Sequence, residues 1–133
     1  MLSIHIENPG PHSRLQLIEC PKPEYTKTQL LVRVRATALN RADLMQKSGK
    51  YPPPDGESDI PGLEIAGDVV AVGSEVDAFK PGDTVYALVG SGAHAEYCTV
   101  ESALAYPIPD TWDYLLAAAL PEALTTVYAT LFD

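Results

Sequence analysis

Residues 63–88 read LEIAGDVVAVGSEVDAFKPGDTVYAL, and the fold is decided in this stretch. Leu63 to Val72 is apolar and rich in β-branched residues, the composition of a strand. Gly67 interrupts it, and a glycine inside a strand marks a bulge or a close backbone approach. Gly73 ends it. Lys80-Pro81-Gly82-Asp83 follows as a tight turn, with proline and glycine suited to its central positions. Thr84 to Leu88 is then a second, short strand.

The same grammar extends outward on both sides. Leu2, Ile4 and Ile6 alternate with Ser3, His5 and Glu7, a half-buried strand. Asn8-Pro9-Gly10-Pro11 is a turn, and Leu15 to Glu19 alternates again. Gln29 to Ala38 predicts a longer strand, with Leu30, Val32, Val34 and Ala36 inward and Leu31, Arg33 and Arg35 toward water. Asn40 to Gln46 predicts a short helix, capped by Asn40 and stopped by Gly49. Tyr51-Pro52-Pro53-Pro54-Asp55-Gly56 is a stiff, extended loop. Ala95 to Val100 is one more strand. Many short strands with regular turns mean a mainly β fold, a sandwich or a barrel.

The last part changes character. Leu115 to Leu120 and Pro121 to Phe132 are helical by composition, with Pro121 placed at a first helical position. Leu124, Val127, Tyr128 and Leu131 share one apolar face, which predicts a partner for that face. Residues 1–120 are therefore expected to form one β domain, and 121–133 to begin the helix leading out of it, the chain being expected to be a fragment of a longer protein.

Composition narrows the function. The 133 residues carry a formal net charge of −9, with only nine Lys and Arg and no basic cluster. Nucleic acid and anionic membranes are poor partners for such a surface. No apolar run reaches the ~20 residues that span a bilayer, and the first residues lack the layout of a signal peptide. Cys20 and Cys98 have no metal-site spacing and cannot make a disulfide framework. A reducing, cytoplasmic setting is expected. His5, His12 and His94 are too scattered for a metal site and are expected in loops or at the surface. Gly90-Ser91-Gly92-Ala93-His94-Ala95 fits the dinucleotide pattern G-x-G-x-x-G/A, but a strand is expected after it where a phosphate loop needs a helix.

Composition and periodicity stop there, and a resemblance takes over. Ala38-Leu39-Asn40-Arg41-Ala42-Asp43-Leu44-Met45-Gln46 with Gly49-Lys50-Tyr51 resembles a signature of the medium-chain dehydrogenase/reductase superfamily, in its quinone oxidoreductase branch and there the tumour-suppressor-inducible group. Pro61-Gly62-Leu63-Glu64 with Gly67 and Val72-Gly73, Phe79 to Val85, and Ala117 to Ala123 agree in order and spacing. The resemblance implies a GroES-like, partly open β-barrel with short helices, followed in the family by a Rossmann domain that holds most of the nucleotide. It implies NADPH as cofactor, a quinone or enone as substrate, and a homodimer for the whole protein. The zinc branch has a cysteine where Asn40 stands and a histidine where Leu63 stands. Neither replacement can ligate zinc as those do, and the four-cysteine structural lobe is missing, so no metal is expected.

The resemblance also implies site residues. Asn40, Arg41 and Asp43 would face the nicotinamide and substrate, Tyr51 would reach the acceptor or the nicotinamide, and Thr126 the nicotinamide ribose or phosphate. Tyr51 and Asn40 would act in the chemistry. Glu64 would be a structural carboxylate, paired with a base such as Arg41. The implied reaction is hydride transfer from NADPH to a quinone without zinc. An enoyl or alkenal reductase, or a non-catalytic barrel module, are the competing readings.

Overall fold

The computed structural model describes residues 1–132. In chain order the strands and helices are β1 (Leu2–Glu7), β2 (Arg14–Glu19), β3 (Gln29–Thr37), α1 (Arg41–Lys47), β4 (Glu64–Val72), β5 (Thr84–Leu88), β6 (Tyr97–Glu101), β7 (Ala105–Pro107), α2 (Tyr114–Ala118) and α3 (Pro121–Phe132). A 3₁₀ turn, Ser102–Leu104, joins β6 to β7. Asp133, the last residue of the expected final helix, lies outside the described residues.

Five strands pair in the order β6-β3-β4-β5-β7, all antiparallel, and curl into a half-barrel. β1 and β2 form a separate antiparallel hairpin, tied to the loop before β6 by a bridge between Ser3 and Ala95. The expected mainly β, partly open barrel with short helices is the observed architecture.

The concave face holds the core: Leu30, Val32, Ile65, Val69, Val85, Ala87, Cys98 and Val100, each at most 3% exposed. These come mostly from the inward half of the alternation, as period-2 patterning requires. Leu31 departs from it and is buried. The strand register slips between Leu31 and Val32, and a bulge re-aims the side chains beside it. On the outer face Asp68 accepts from Arg35 Nε at 2.7 Å and from the Tyr114 hydroxyl. Burial pushes the Asp68 carboxyl up, but Tyr114 and Arg35 outweigh that and hold it below the usual range.

Gly67 behaves as a glycine within a strand should. It pairs with Val34 on one side and Val85 on the other, and a Cβ there would lie 2.1 Å from the Arg33 carbonyl oxygen. Cys98 is 3% exposed, and burial, helped by Glu57, pushes its thiol up to about 12. So high a thiol gives almost no thiolate, and Cys98 is a packing residue. Among the described residues no helix is long and apolar enough to cross a membrane.

Candidate functional site

Four short segments converge where β3 ends, α1 begins, β4 begins and α3 begins. Asn40 stands just before α1. Its backbone N–H donates to Asp43 Oδ2 at 2.7 Å, a cap of the first turn by the residue three positions on. Its side-chain Nδ2 leaves the helix and donates to Glu64 Oε1 at 2.8 Å. Glu64 opens β4 and is 2% exposed. Its other oxygen, Oε2, accepts from the backbone N–H of Glu122 at 2.9 Å, in the first turn of α3. A carboxylate there satisfies one of the free N–H groups of a helix start and complements its dipole. Glu64 thus couples Asn40 to α3. The expected partner Arg41 is exposed and is not bonded to it. A guanidinium at the first helical position stays in water, which spares it the cost of desolvation.

Asp43 is turned inward. It is 8% exposed, and its Oδ1 lies 3.4 Å from His94 Nε2. Burial pushes its carboxyl up, but His94 and the Asn40 N–H outweigh this and hold it below the usual carboxylate range. The sign for stability follows. A carboxyl lowered in the folded state stabilises above its unfolded value, about 4, and loses that contribution as pH falls through the folded value. Urea unfolding should therefore give a falling stability below about pH 4, with a shallower fall in Asp43→Asn. An equally steep fall in the variant would show that Asp43 does not contribute.

His94 was expected in a loop or at the surface, and its backbone is indeed in a loop, but its side chain is only 9% exposed. The glycine-rich turn that holds it is not a phosphate loop. The N–H groups of Gly92, Ala93 and His94 donate to the carbonyls of Ile60, Gly62 and Pro61, leaving none of the three for an anion. No helix follows; Ala95 bridges to Ser3 and β6 begins at Tyr97.

Among the described residues, neither Tyr51 nor Thr126 makes a hydrogen bond to Asn40, Asp43 or Glu64. Tyr51 is 36% exposed in the proline loop. Thr126 is exposed on α3, its hydroxyl donating to Glu122 Oε1 at 3.1 Å. Its neighbour Thr125, with Leu124, Val127 and Tyr128, lines a cleft of about 840 Å³ whose other wall includes Tyr86, Leu88 and Tyr106. One residue is a rotation of about 100° on a helix, which is why Thr126 points away from the wall Thr125 forms. Leu124, Val127, Tyr128 and Leu131 are each more than half exposed.

Residues 26–110 match the family model described as the alcohol dehydrogenase GroES-like domain. The chain belongs to that family. As a GroES-like domain of the medium-chain dehydrogenase/reductase superfamily, it is similar to the human synaptic vesicle membrane protein VAT-1 homolog-like, 36% identical over 93% of this chain and 30% of the relative. It is also 40% identical to the chloroplastic NADPH-dependent alkenal/one oxidoreductase of Arabidopsis thaliana, over 78% of this chain and 30% of that protein. Among solved structures, the Escherichia coli quinone oxidoreductase complexed with NADPH superposes with a TM-score of 0.87 at 30% identity, over 100% of this chain and 41% of that one. The GroES-like domain described here thus spans about a third of the length of the curated relatives it matches.

Proposed function

We propose that this chain is the amino-terminal catalytic domain of a zinc-independent, NADPH-dependent reductase that passes hydride to a quinone. The observation that carries the reading is the Asn40–Glu64 pair. At the positions where the zinc branch keeps a thiolate and an imidazole, this chain has an amide that donates to a carboxylate, and a leucine. Both Glu64 oxygens are already engaged by N–H groups. One amide, one alkyl side chain and one committed carboxylate do not fit zinc. The acceptor must then be electrophilic without a Lewis acid, as quinones are.

Asn40, Arg41 and Tyr51 are exposed or part-exposed and offer an amide, a guanidinium and a phenol. That donor set suits the carboxamide, hydroxyl and phosphate groups of a dinucleotide. When bound, NADPH supplies the hydride. Asn40 and Tyr51 are the proposed catalytic residues, orienting the reacting rings and hydrogen-bonding the oxyanion that develops on the acceptor. Arg41 and Thr126 hold the cofactor. Asp43, buried, serves the cofactor side by holding Asn40. The exposed apolar face of α3 packs on the remainder of the protein, which is a homodimer. Free Cys20 and Cys98 are consistent with a cytoplasmic setting.

An alkenal or enone acceptor is the second reading, supported by two plant relatives named as an alkenal/one oxidoreductase and a 2-methylene-furan-3-one reductase. NADPH oxidation by the whole protein with an ortho-naphthoquinone separates them. Expected are turnover that survives a chelator and a loss of about tenfold or more in kcat/KM for Tyr51→Phe. Turnover of alkenals but no quinone would replace the quinone reading, and loss of activity with chelator would end the zinc-independent one.

A further inference from the structure

His94 has no place in the scheme above, yet its ring is buried and touches a group that does. The hydrogen-bond inventory around it is constrained. Thr37 Oγ1 lies 2.8 Å from the Glu64 carbonyl oxygen and 3.2 Å from His94 Nδ1. A carbonyl only accepts, so the single hydroxyl proton of Thr37 is spent on it. The Thr37 oxygen can then only accept from His94, and Nδ1 must carry a proton. The other nitrogen, Nε2, faces Asp43 Oδ1 at 3.4 Å, and neither atom has a hydrogen-bond partner among the described residues. With Nδ1 protonated, a neutral ring would aim a lone pair at a carboxylate. A proton between them removes that repulsion, and the carboxylate is the member held in its ionised form.

The backbone around His94 makes this contact rigid. Its N–H donates to the Pro61 carbonyl and its carbonyl accepts from Ile4, both at 2.9 Å. The other charged groups on the same groove are occupied elsewhere. Lys47 Nζ donates to Ser13, and the Glu96 carboxylate accepts from the Leu2 N–H. Glu64 presents its carbonyl on this side, its carboxylate being taken by Asn40 and Glu122. Asp43 is therefore the carboxylate that His94 meets.

We propose that His94 is a positioning residue: its buried ring fastens Asp43, and through Asp43 it sets the Asn40 amide beside Glu64. The proposal rests on the reading of Asn40 as a residue of the reacting site. The chain of contacts is continuous, from His94 to Asp43, from Asp43 Oδ2 to the Asn40 N–H, and from Asn40 Nδ2 to Glu64. Small errors in the placing of a reacting group cost up to about 100-fold in rate, so a residue two contacts away can govern turnover.

The first test needs no turnover. In the whole protein labelled with 15N at the histidine rings, His94 is assigned through its backbone amide and its two ring nitrogens are followed against pH. The Asn40 side-chain amide signals should move with the same midpoint as the ring. An Asn40 amide indifferent to the titration would overturn the proposal. The second test is a cycle of His94→Gln, Asp43→Asn and the double variant in NADPH-dependent quinone reduction. Each single change should lower kcat by about 10- to 100-fold, and the double no further than the worse single. Losses that multiply would overturn it. A protein inactive with every acceptor, but with the His94 titration coupled to Asn40, would sink the quinone reading and leave the positioning contact standing.

Discussion

Glu64→Ala destabilises the protein by about 4 kcal/mol and releases the first turn of α3. The side chain is 2% exposed, and its two oxygens accept from Asn40 Nδ2 and from the Glu122 N–H. Alanine leaves both donors without an acceptor in a place water reaches poorly. An unsatisfied buried donor costs about 1–3 kcal/mol, and the lost side-chain volume adds a cavity term. Glu64→Gln separates the two bonds. Its carbonyl oxygen can still accept from one donor, but its NH₂ group meets the other head-on, so about 2 kcal/mol should be lost. Urea unfolding gives the energies. Hydrogen exchange at the α3 amides tells where the loss falls, since exchange rising there more than in β3 and β4 is the expected pattern. A uniform rise, or a change below about 1 kcal/mol, would mean that Glu64 does not anchor α3.

Gly67→Ala should be similarly damaging for a different reason. The added carbon would lie 2.1 Å from the Arg33 carbonyl oxygen and 2.8 Å from Val32 Cγ1. The first is backbone of a paired neighbour, so the two central strands must part by more than an ångström or abandon their ladder. Overpacking of a rigid core costs typically about 1–3 kcal/mol and here at least the upper end. For a domain of this size that lowers Tm by about 10 °C. Gly82→Ala is the comparison. No heavy atom lies within 4 Å of a Cβ there, but its φ is +98°, so only backbone strain of about 1 kcal/mol is added. Thermal unfolding that ranks Gly82→Ala as the worse variant would contradict the close approach at Gly67.

Local residue chemistry carried much of this protein. The strand through residues 64–72, its glycine, the turn at 80–83 and the strand after it are all visible in one stretch, because β-branched runs and Pro-Gly turns act over a few residues. The helix after Asn40 and the helix from Pro121 were equally readable, as capping and first-turn preferences are local. The GroES-like domain was identified from four short motifs whose order is a linear property.

What residue types could not supply was the pairing of groups far apart in the chain. Glu64 was marked as structural, but its partner was misjudged: charge alone suggested Arg41, while the fold presents Asn40 and the end of a helix. Thr126 and Thr125 differ by one step of helical phase, which only the packing of α3 resolves. His94 carried no spacing signal, and it was expected in a loop or at the surface. Its burial comes from three backbone bonds to residues 60–62 and one to Ile4, all made across the fold. Element types follow from forces between neighbours in sequence. The contact of Asp43 with His94 and the clasp of Glu64 on α3 exist only because the closing half-barrel brings those segments together and withdraws them from water, where each contact then outweighs what the same groups would give in solvent.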